Sequence, residues 1–199
     1  MYQGLGNNQH RTYAGVSNGK IIIRPGKDQE PILFDHIEGY IKDIKKSDRT
    51  VKNKPTTFID ITLSDGKGEE AVLSLYADSG STRTLLLALG SVNDFNQKVR
   101  INAFPRVAEG GTVYTNVALR INGEKVPWCT EPSLIPKVTK EVYKGQDIID
   151  ASERNAFYDK LLLDIQKQLA ASLASGENNV VDYDEADGGE PSPEDMPDM

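Results

Sequence analysis

Two alternating stretches decide the fold: residues 98–104 read KVRINAF, and residues 113–121, beyond a Gly110-Gly111 turn, read VYTNVALRI. Alternation of apolar and polar residues predicts two half-buried strands. The face expected to line a core holds Val99, Ile101, Ala103, Val113, Val117, Leu119 and Ile121. The opposite face mixes cations, amides and rings: Lys98, Arg100, Asn102, Phe104, Tyr114, Asn116 and Arg120. Such a face suits either ordinary solvent or a nucleic-acid strand, since cations meet phosphates and rings stack on bases.

The same alternation recurs upstream and predicts three more strands, over residues 37–44, 57–64 and 71–76. A helix is expected over residues 82–89, capped by a serine and ended by Gly90. The order strand, strand, strand, helix, strand, strand predicts an all-β core. We expect a five-stranded Greek-key OB barrel with a short helix between strands 3 and 4.

An amphipathic helix is predicted near the C-terminus, with a capping box at Asp150 and Glu153. Its apolar stripe recurs every four residues: Phe157, Leu161, Ile165, Leu169 and Leu173. The stripe is expected to dock on the barrel or to pair with another subunit. The expected organisation is a flexible N-terminus (1–18), an OB-fold domain (19–135), a linker with the C-terminal helix (136–175) and a disordered acidic tail (176–199).

Charge is unevenly distributed along the 199 residues, whose net charge is −7. Residues 176–199 hold nine acids and no Lys or Arg, which leaves 23 bases against 21 acids in the rest. A mildly basic body is therefore joined to a strongly acidic tail, and such tails often act as interaction elements. Nine acids in so short a segment repel one another, so the tail is expected to stay unfolded.

Composition also bounds the compartment. The chain has no apolar run of 18 residues, so no membrane span is expected. One cysteine, Cys129, cannot form an internal disulfide, and the polar N-terminus lacks the apolar segment of a signal peptide. These features predict a cytoplasmic protein, in the host cytoplasm if the chain is viral.

Signatures of catalysis are missing from the sequence. There is no phosphate-binding G-x-x-x-x-G-K-[ST] loop, and Cys129 has no histidine near it in sequence. Neither His10 nor His36 has a partner at metal-ligand spacing. We therefore expect no enzyme, no cofactor and no metal site.

Rings and bases at outward positions form the candidate binding surface. A loop over residues 45–55 holds five bases and one acid, as a grip on a phosphate backbone requires. Several outward rings on one small barrel indicate an interaction surface. The residues predicted to bind single-stranded DNA are Tyr40, Lys42, Arg49, Lys52, Lys54, Phe58, Tyr76, Lys98, Arg100, Phe104, Tyr114 and Arg120.

Barrel, basic loop, outward rings and acidic tail together resemble the single-stranded-DNA-binding proteins of replication, especially those of bacteriophages. The resemblance covers residues 37–128 and the tail, and it implies that rings and bases hold the DNA strand. It also implies that the tail recruits replication, recombination or repair proteins, such as a polymerase, helicase or recombinase, and competes with DNA. The tail residues implied are Asp182, Asp184, Glu185, Asp187, Glu194, Asp195, Met196, Asp198 and Met199. Tails of that family commonly end in an apolar or aromatic residue, and here Met199 takes that place.

Two functions follow from these patterns. The leading one is sequence-independent binding and protection of single-stranded DNA, with partners recruited by the tail. The alternative is an OB-fold protein-interaction module of a replisome or virion that does not bind DNA. Bases interleaved with the outward rings favour the first, and a homo-oligomer remains open under both.

Overall fold

The computed structural model describes residues 11–25, 29–108, 110–143 and 146–177. Strands dominate, and two helices accompany them. The strands are β1 (Arg11–Ser17), β2 (Lys20–Ile23), β3 (Ile32–Phe34), β4 (His36–Val51), β5 (Lys54–Ser64), β6 (Glu70–Tyr76), β7 (Val99–Val107), β8 (Val113–Ile121), β9 (Glu124–Lys125), β10 (Thr139–Tyr143) and β11 (Gln146–Asp150). The helices are α1 (Gly80–Leu89) and α2 (Ser152–Glu177), with a short 3-10 helix at Pro132–Leu134.

Nine of these strands form one mixed sheet in the order β3-β2-β1-β6-β5-β4-β7-β8-β9. All neighbours are antiparallel except β1 and β6, which run parallel. Strand β4 joins the two halves, because it pairs with β5 over most of its length and with β7 through its first four residues. Among the described residues, no hydrogen-bonded ladder joins the β3 edge to the β9 edge, so closure into a barrel is not seen.

The two halves of the sheet nevertheless touch at the β1–β2 turn. The Gly19 N–H donates to the Thr115 hydroxyl of β8 over 2.9 Å. Gly19 has a φ of +76°, and a Cβ there would collide with Pro105 of β7. Only glycine meets both demands, because other residues avoid positive φ and need room for a Cβ.

A continuous core fills the inner face of the sheet. Its largest fully buried side chains include Ile41, Ile61, Leu73, Ile101 and Leu119, and α1 adds Leu85 and Leu89. The Ser79 hydroxyl caps α1 by accepting from the Thr82 N–H over 3.1 Å. Burial of these aliphatic side chains is the main source of stability.

Helix α2 docks on its own chain, which settles one question that the sequence left open. Leu162, Ile165 and Leu169 are buried against the core. Gln166 donates to the Ile44 carbonyl of β4 over 2.7 Å, and Lys46 pairs with Asp159 over 2.8 Å. The Asp150 carboxylate accepts from the Ser152 N–H over 2.8 Å where α2 begins, which is an Asx-type turn.

Three sequence expectations are corrected by these elements. Residues 11–17, assigned to a flexible N-terminus, form β1. Residues 139–150, assigned to a linker, contain the β10–β11 hairpin. Helix α2 continues to Glu177, two residues beyond the expected boundary at residue 175.

The predicted basic loop over residues 45–55 is a further error. The structure extends β4 to Val51, begins β5 at Lys54 and leaves a turn of only two residues between them. Lys52 and Asn53 in that turn have φ values of +49° and +64°, as a tight hairpin needs. The five bases therefore lie on a long β-hairpin.

Candidate nucleic-acid interface

A ladder of stacked side chains crosses the outer face of β4, β5 and β6. The register places Phe58 directly opposite Tyr76, and their ring centroids are 4.7 Å apart. Arg49 of β4 lies over the Phe58 ring, with its guanidinium carbon 5.0 Å from the ring centroid. A cation above a ring and an offset ring pair are both attractive arrangements. We call Arg49, Phe58 and Tyr76 the stacked ladder.

A buried carboxylate on the same face of the sheet, two residues along β5 from Phe58, holds the arginine of the ladder. Asp60 is only 3% exposed and accepts hydrogen bonds from Ser47 and Ser74, each over 2.7 Å. It also forms an ion pair with Arg49, whose other nitrogen lies 3.3 Å from the Ser74 hydroxyl. A buried charge is tolerated only when it is paired and hydrogen-bonded, and Asp60 meets both conditions. The positive charge of Arg49 is therefore balanced inside the protein.

A cleft of about 1100 Å³ opens beside the ladder, between the β1, β2 and β6 side and the far end of the β7–β8 hairpin. Tyr76 lines this cleft as well as ending the ladder, and Tyr114 lines its opposite side. Both tyrosines are more than half exposed, at 53% and 56%. The cleft thus presents two accessible rings next to the stacked ladder.

Polar and cationic groups surround the two tyrosines. Arg24, Arg106 and Asn116 also line the cleft. Within the described residues, neither Arg24 nor Arg106 is joined to a carboxylate. Phe104 is 43% exposed and pairs with Asn116 on β8, so a further ring flanks the cleft. Rings with free cations around a groove are what a sequence-tolerant single-strand site needs.

Three predicted cations lie elsewhere and are already engaged. Lys98 and Arg100 both bind Glu38, over 2.7 and 2.8 Å. Their hydrogen bonds, that of Lys98 first, lower the pKa of Glu38 to about 2. Arg120 donates to the Gly123 carbonyl over 2.7 Å. The structure therefore does not bring these three into the cleft.

The other predicted residues are also outside the cleft. Lys52 and Lys54 are exposed at the β4–β5 turn, and Lys42 is exposed at a β-bulge between Ile41 and Asp43. The ring of Tyr40 is half-buried beside Gly66, at the other end of the same strands. Phe58 is outward, as predicted, but it is only 8% exposed because Arg49 and Tyr76 cover it.

Several residues of this surface were missed by sequence reasoning. Arg106 continues the outward alternation of Arg100, Asn102 and Phe104, but Pro105 obscures that strand in the sequence. Arg24 follows β2, which lies outside the five strands predicted for the barrel. Asp60 carries no local signal, because its role depends on Arg49 and Ser74 from two neighbouring strands. The tail residues from Asp182 to Met199 lie outside the described residues.

Other chemistry finds little support in the described part of the chain. No group of three or more His, Cys, Asp or Glu residues among those placed by the structure is arranged to hold a metal ion. Neither described helix is long and apolar enough to cross a membrane. Comparison with family models, curated proteins and solved structures gives no match for this chain.

Proposed function

We propose that this protein binds single-stranded DNA without sequence preference, along the stacked ladder and the cleft beside it. The observation that carries the proposal is the position of Tyr76, which ends the ladder and also lines the cleft opposite Tyr114. A DNA strand that crosses the protein at Tyr76 contacts exposed rings one after another. Stacking on rings tolerates every base, because each base has a π-face.

Cations and rings have separate roles in this proposal. Arg24 and Arg106 meet phosphates, since neither is neutralised by a described carboxylate. Arg49 contributes a flat guanidinium surface and hydrogen bonds, because its charge is already balanced by Asp60. A duplex keeps its bases stacked inside the helix and offers no π-face to Tyr76 or Tyr114. Single strands are therefore preferred.

The strand order is compatible with an OB-type barrel, which we include in the proposal. Strands β4 to β8 would be its five strands, so β5 and β6 take the places of strands 2 and 3. In OB folds that face binds oligonucleotides, with the loops between strands 1 and 2 and between strands 4 and 5. The ladder lies on β5 and β6, and the cleft reaches the β7–β8 hairpin.

The acidic tail supplies the second half of the proposal. A polyanion tethered to the body is held at high effective concentration near the basic cleft. It competes with DNA there at low salt, and bound DNA frees it for replication, recombination or repair partners. Truncation after Glu177 is expected to tighten binding of oligo-dT at low salt, and the difference is expected to close at high salt.

The deciding experiment is a mobility shift with labelled oligo-dT, a duplex of equal length and a range of salt concentrations. The proposal expects a shift of the single strand at protein concentrations that leave the duplex free, with affinity falling as salt rises. Failure to shift either ligand would favour the alternative, a protein-interaction module that does not bind DNA.

A further inference from the structure

A second groove lies at the opposite end of β4 and β5 from the stacked ladder. Its volume is about 340 Å³, enough for a few side chains. The apolar part is formed by Ile23, Phe34, Ile37, Leu63 and Ala71. Phe34 is 42% exposed there, although most other phenylalanines of the described chain are buried or half-buried. We call this the end groove.

The rim of the end groove is acidic. Four carboxylates line it, from Glu38, Asp65, Glu69 and Glu70, and the lining contains no Lys or Arg. Glu70 pairs with Arg11, and Glu38 pairs with Lys98 and Arg100. Asp65 accepts the Lys67 and Glu69 N–H groups, which lower its pKa and keep it charged. Lys67 belongs to the same turn but is not part of the lining.

The other end of the same two strands carries the complementary surface. Strand β6 stops pairing with β5 at Phe58, and the β4–β5 hairpin continues beyond it to the turn at Lys52 and Asn53. Its tip, residues 50–55, reads TVKNKP and contains two lysines and no acid. Lys52, Lys54 and Pro55 are exposed there, with Val51 half-buried beside them. We call these six residues the arm tip.

We propose that the arm tip of one copy docks in the end groove of the next copy. The two lysines face the carboxylates of the rim, and Val51 and Pro55 cover part of the apolar floor. Opposite charges across such a contact give specificity, since a lysine-bearing tip is repelled by any basic surface. The occupant is a second copy because the chain itself carries the matching basic and apolar segment.

The placement of the two surfaces determines the assembly. They lie at opposite ends of β4, which has 16 residues and so extends at most about 50 Å. A contact between different patches at opposite ends is heterologous and leaves a free arm tip and a free end groove after each addition. Copies therefore add head to tail in one direction, as a row. The contact area is small, so the row is weak in free solution and is strengthened when DNA holds copies side by side.

Charge reversal tests this contact without DNA. The full chain is compared by sedimentation velocity at low salt with two variants, Asp65→Lys with Glu69→Lys in the groove and Lys52→Glu with Lys54→Glu in the arm. Glu38 and Glu70 are kept, because basic side chains already pair with both. Each variant alone brings like charges together, so both are expected to lose the concentration-dependent rise in sedimentation coefficient shown by the parent. An equimolar mixture restores opposite charges at every contact, and the rise is expected to return.

A matched double reversal at exposed sites outside the groove, Glu124→Lys with Glu131→Lys, is expected to sediment like the parent. A parent chain that stays monomeric at low salt would overturn the proposal, and so would a mixture that stays as monomeric as its two components. Because no DNA is present, the outcome is independent of whether the stacked ladder binds DNA. A circular dichroism spectrum of each variant confirms that it is folded.

Discussion

Arg49 lies over the ring of Phe58, with its guanidinium carbon 5.0 Å from the ring centroid. The geometry is held by Asp60 on the same strand as Phe58, because its carboxylate pairs with the same guanidinium. An arginine with its charge balanced in this way differs from a free surface cation. In the proposed function it offers a flat surface for a base and adds little to the attraction of a phosphate chain.

The first prediction separates these two roles of arginine. Arg49→Met combined with Asp60→Asn removes the guanidinium without leaving a buried charge unpaired. We expect weaker oligo-dT binding with an unchanged dependence of log affinity on log salt concentration. Arg106→Met is expected to lower that salt slope by about one, as loss of one phosphate contact does. Equal slopes for the parent and Arg106→Met would place Arg106 away from the DNA.

Tyr114 supplies the second prediction, because it lines the cleft with most of its ring exposed. Tyr114→Ala should weaken oligo-dT binding by about 1–3 kcal/mol if its ring stacks on a base. Tyr114→Phe keeps the ring and should bind nearly as the parent does. Fluorescence anisotropy with oligo-dT and oligo-dA measures both. A loss that appears with only one of the two bases would argue against stacking.

The third prediction concerns docking of α2. Ile165 is fully buried, whereas Leu163 on the same helix is 56% exposed. Ile165→Ala should lower the free energy of unfolding by about 2–5 kcal/mol, since it leaves a cavity in the core. Leu163→Ala should change it by less than about 0.5 kcal/mol. Urea denaturation measures both, and similar values for the two variants would mean that α2 does not dock as described.

The fourth prediction follows from the lowered pKa of Glu38. Its folded pKa of about 2 lies below the ordinary value of 4.5, so its ion pairs stabilise the fold above pH 4.5 and lose that effect as the pH falls toward 2. The difference in Tm between the parent and Glu38→Gln should therefore shrink over that range. Salt should reduce the difference at neutral pH, because the three side chains are partly exposed. A Tm difference that is constant from pH 7 to pH 2.5 would contradict this.

Local patterns predict most of the inner half of this fold, although Val113, which alternation places on the core side, is 45% exposed. Alternation places Ile101, Val117 and Leu119 on the core side, and the structure buries all three. The apolar stripe of α2 likewise predicts burial of Ile165 and Leu169. Both inferences depend only on the repeat of a strand or helix, which the sequence displays directly.

Elements fixed by distant partners escape such patterns. Strand β1 has little apolar alternation and exists because it pairs in parallel with β6, 59 positions later in the chain. The arm tip at residues 50–55 is mostly polar, and it is ordered by the hydrogen bonds that pair β4 with β5. Closure of a barrel also depends on pairing between distant edges, and no local signal specifies it.

The residues of the candidate site also divide into those that a local pattern identifies and those that only contacts with distant residues reveal. Outward alternation identifies Tyr76 and Tyr114, which line opposite sides of one cleft. The same alternation also selects Lys98 and Arg100 as binding residues. It cannot reveal that Glu38 on the neighbouring strand β4 binds both of them. Asp60 is the opposite case. It is unremarkable in sequence and becomes central only when Ser47, Arg49 and Ser74 converge on it.

Tyr76 is the residue at which the ladder and the cleft meet, so its removal tests the account most directly. The measurement is anisotropy of labelled oligo-dT and of a duplex of equal length, with the parent chain, Tyr76→Ala, and Trp128→Ala as a control for an exposed ring elsewhere. The account predicts tight binding of oligo-dT and weak binding of duplex by the parent and by Trp128→Ala. It predicts a loss of about 1–3 kcal/mol in oligo-dT binding for Tyr76→Ala. A folded Tyr76→Ala chain that binds oligo-dT as the parent does, or a parent that binds both ligands equally, would contradict the account.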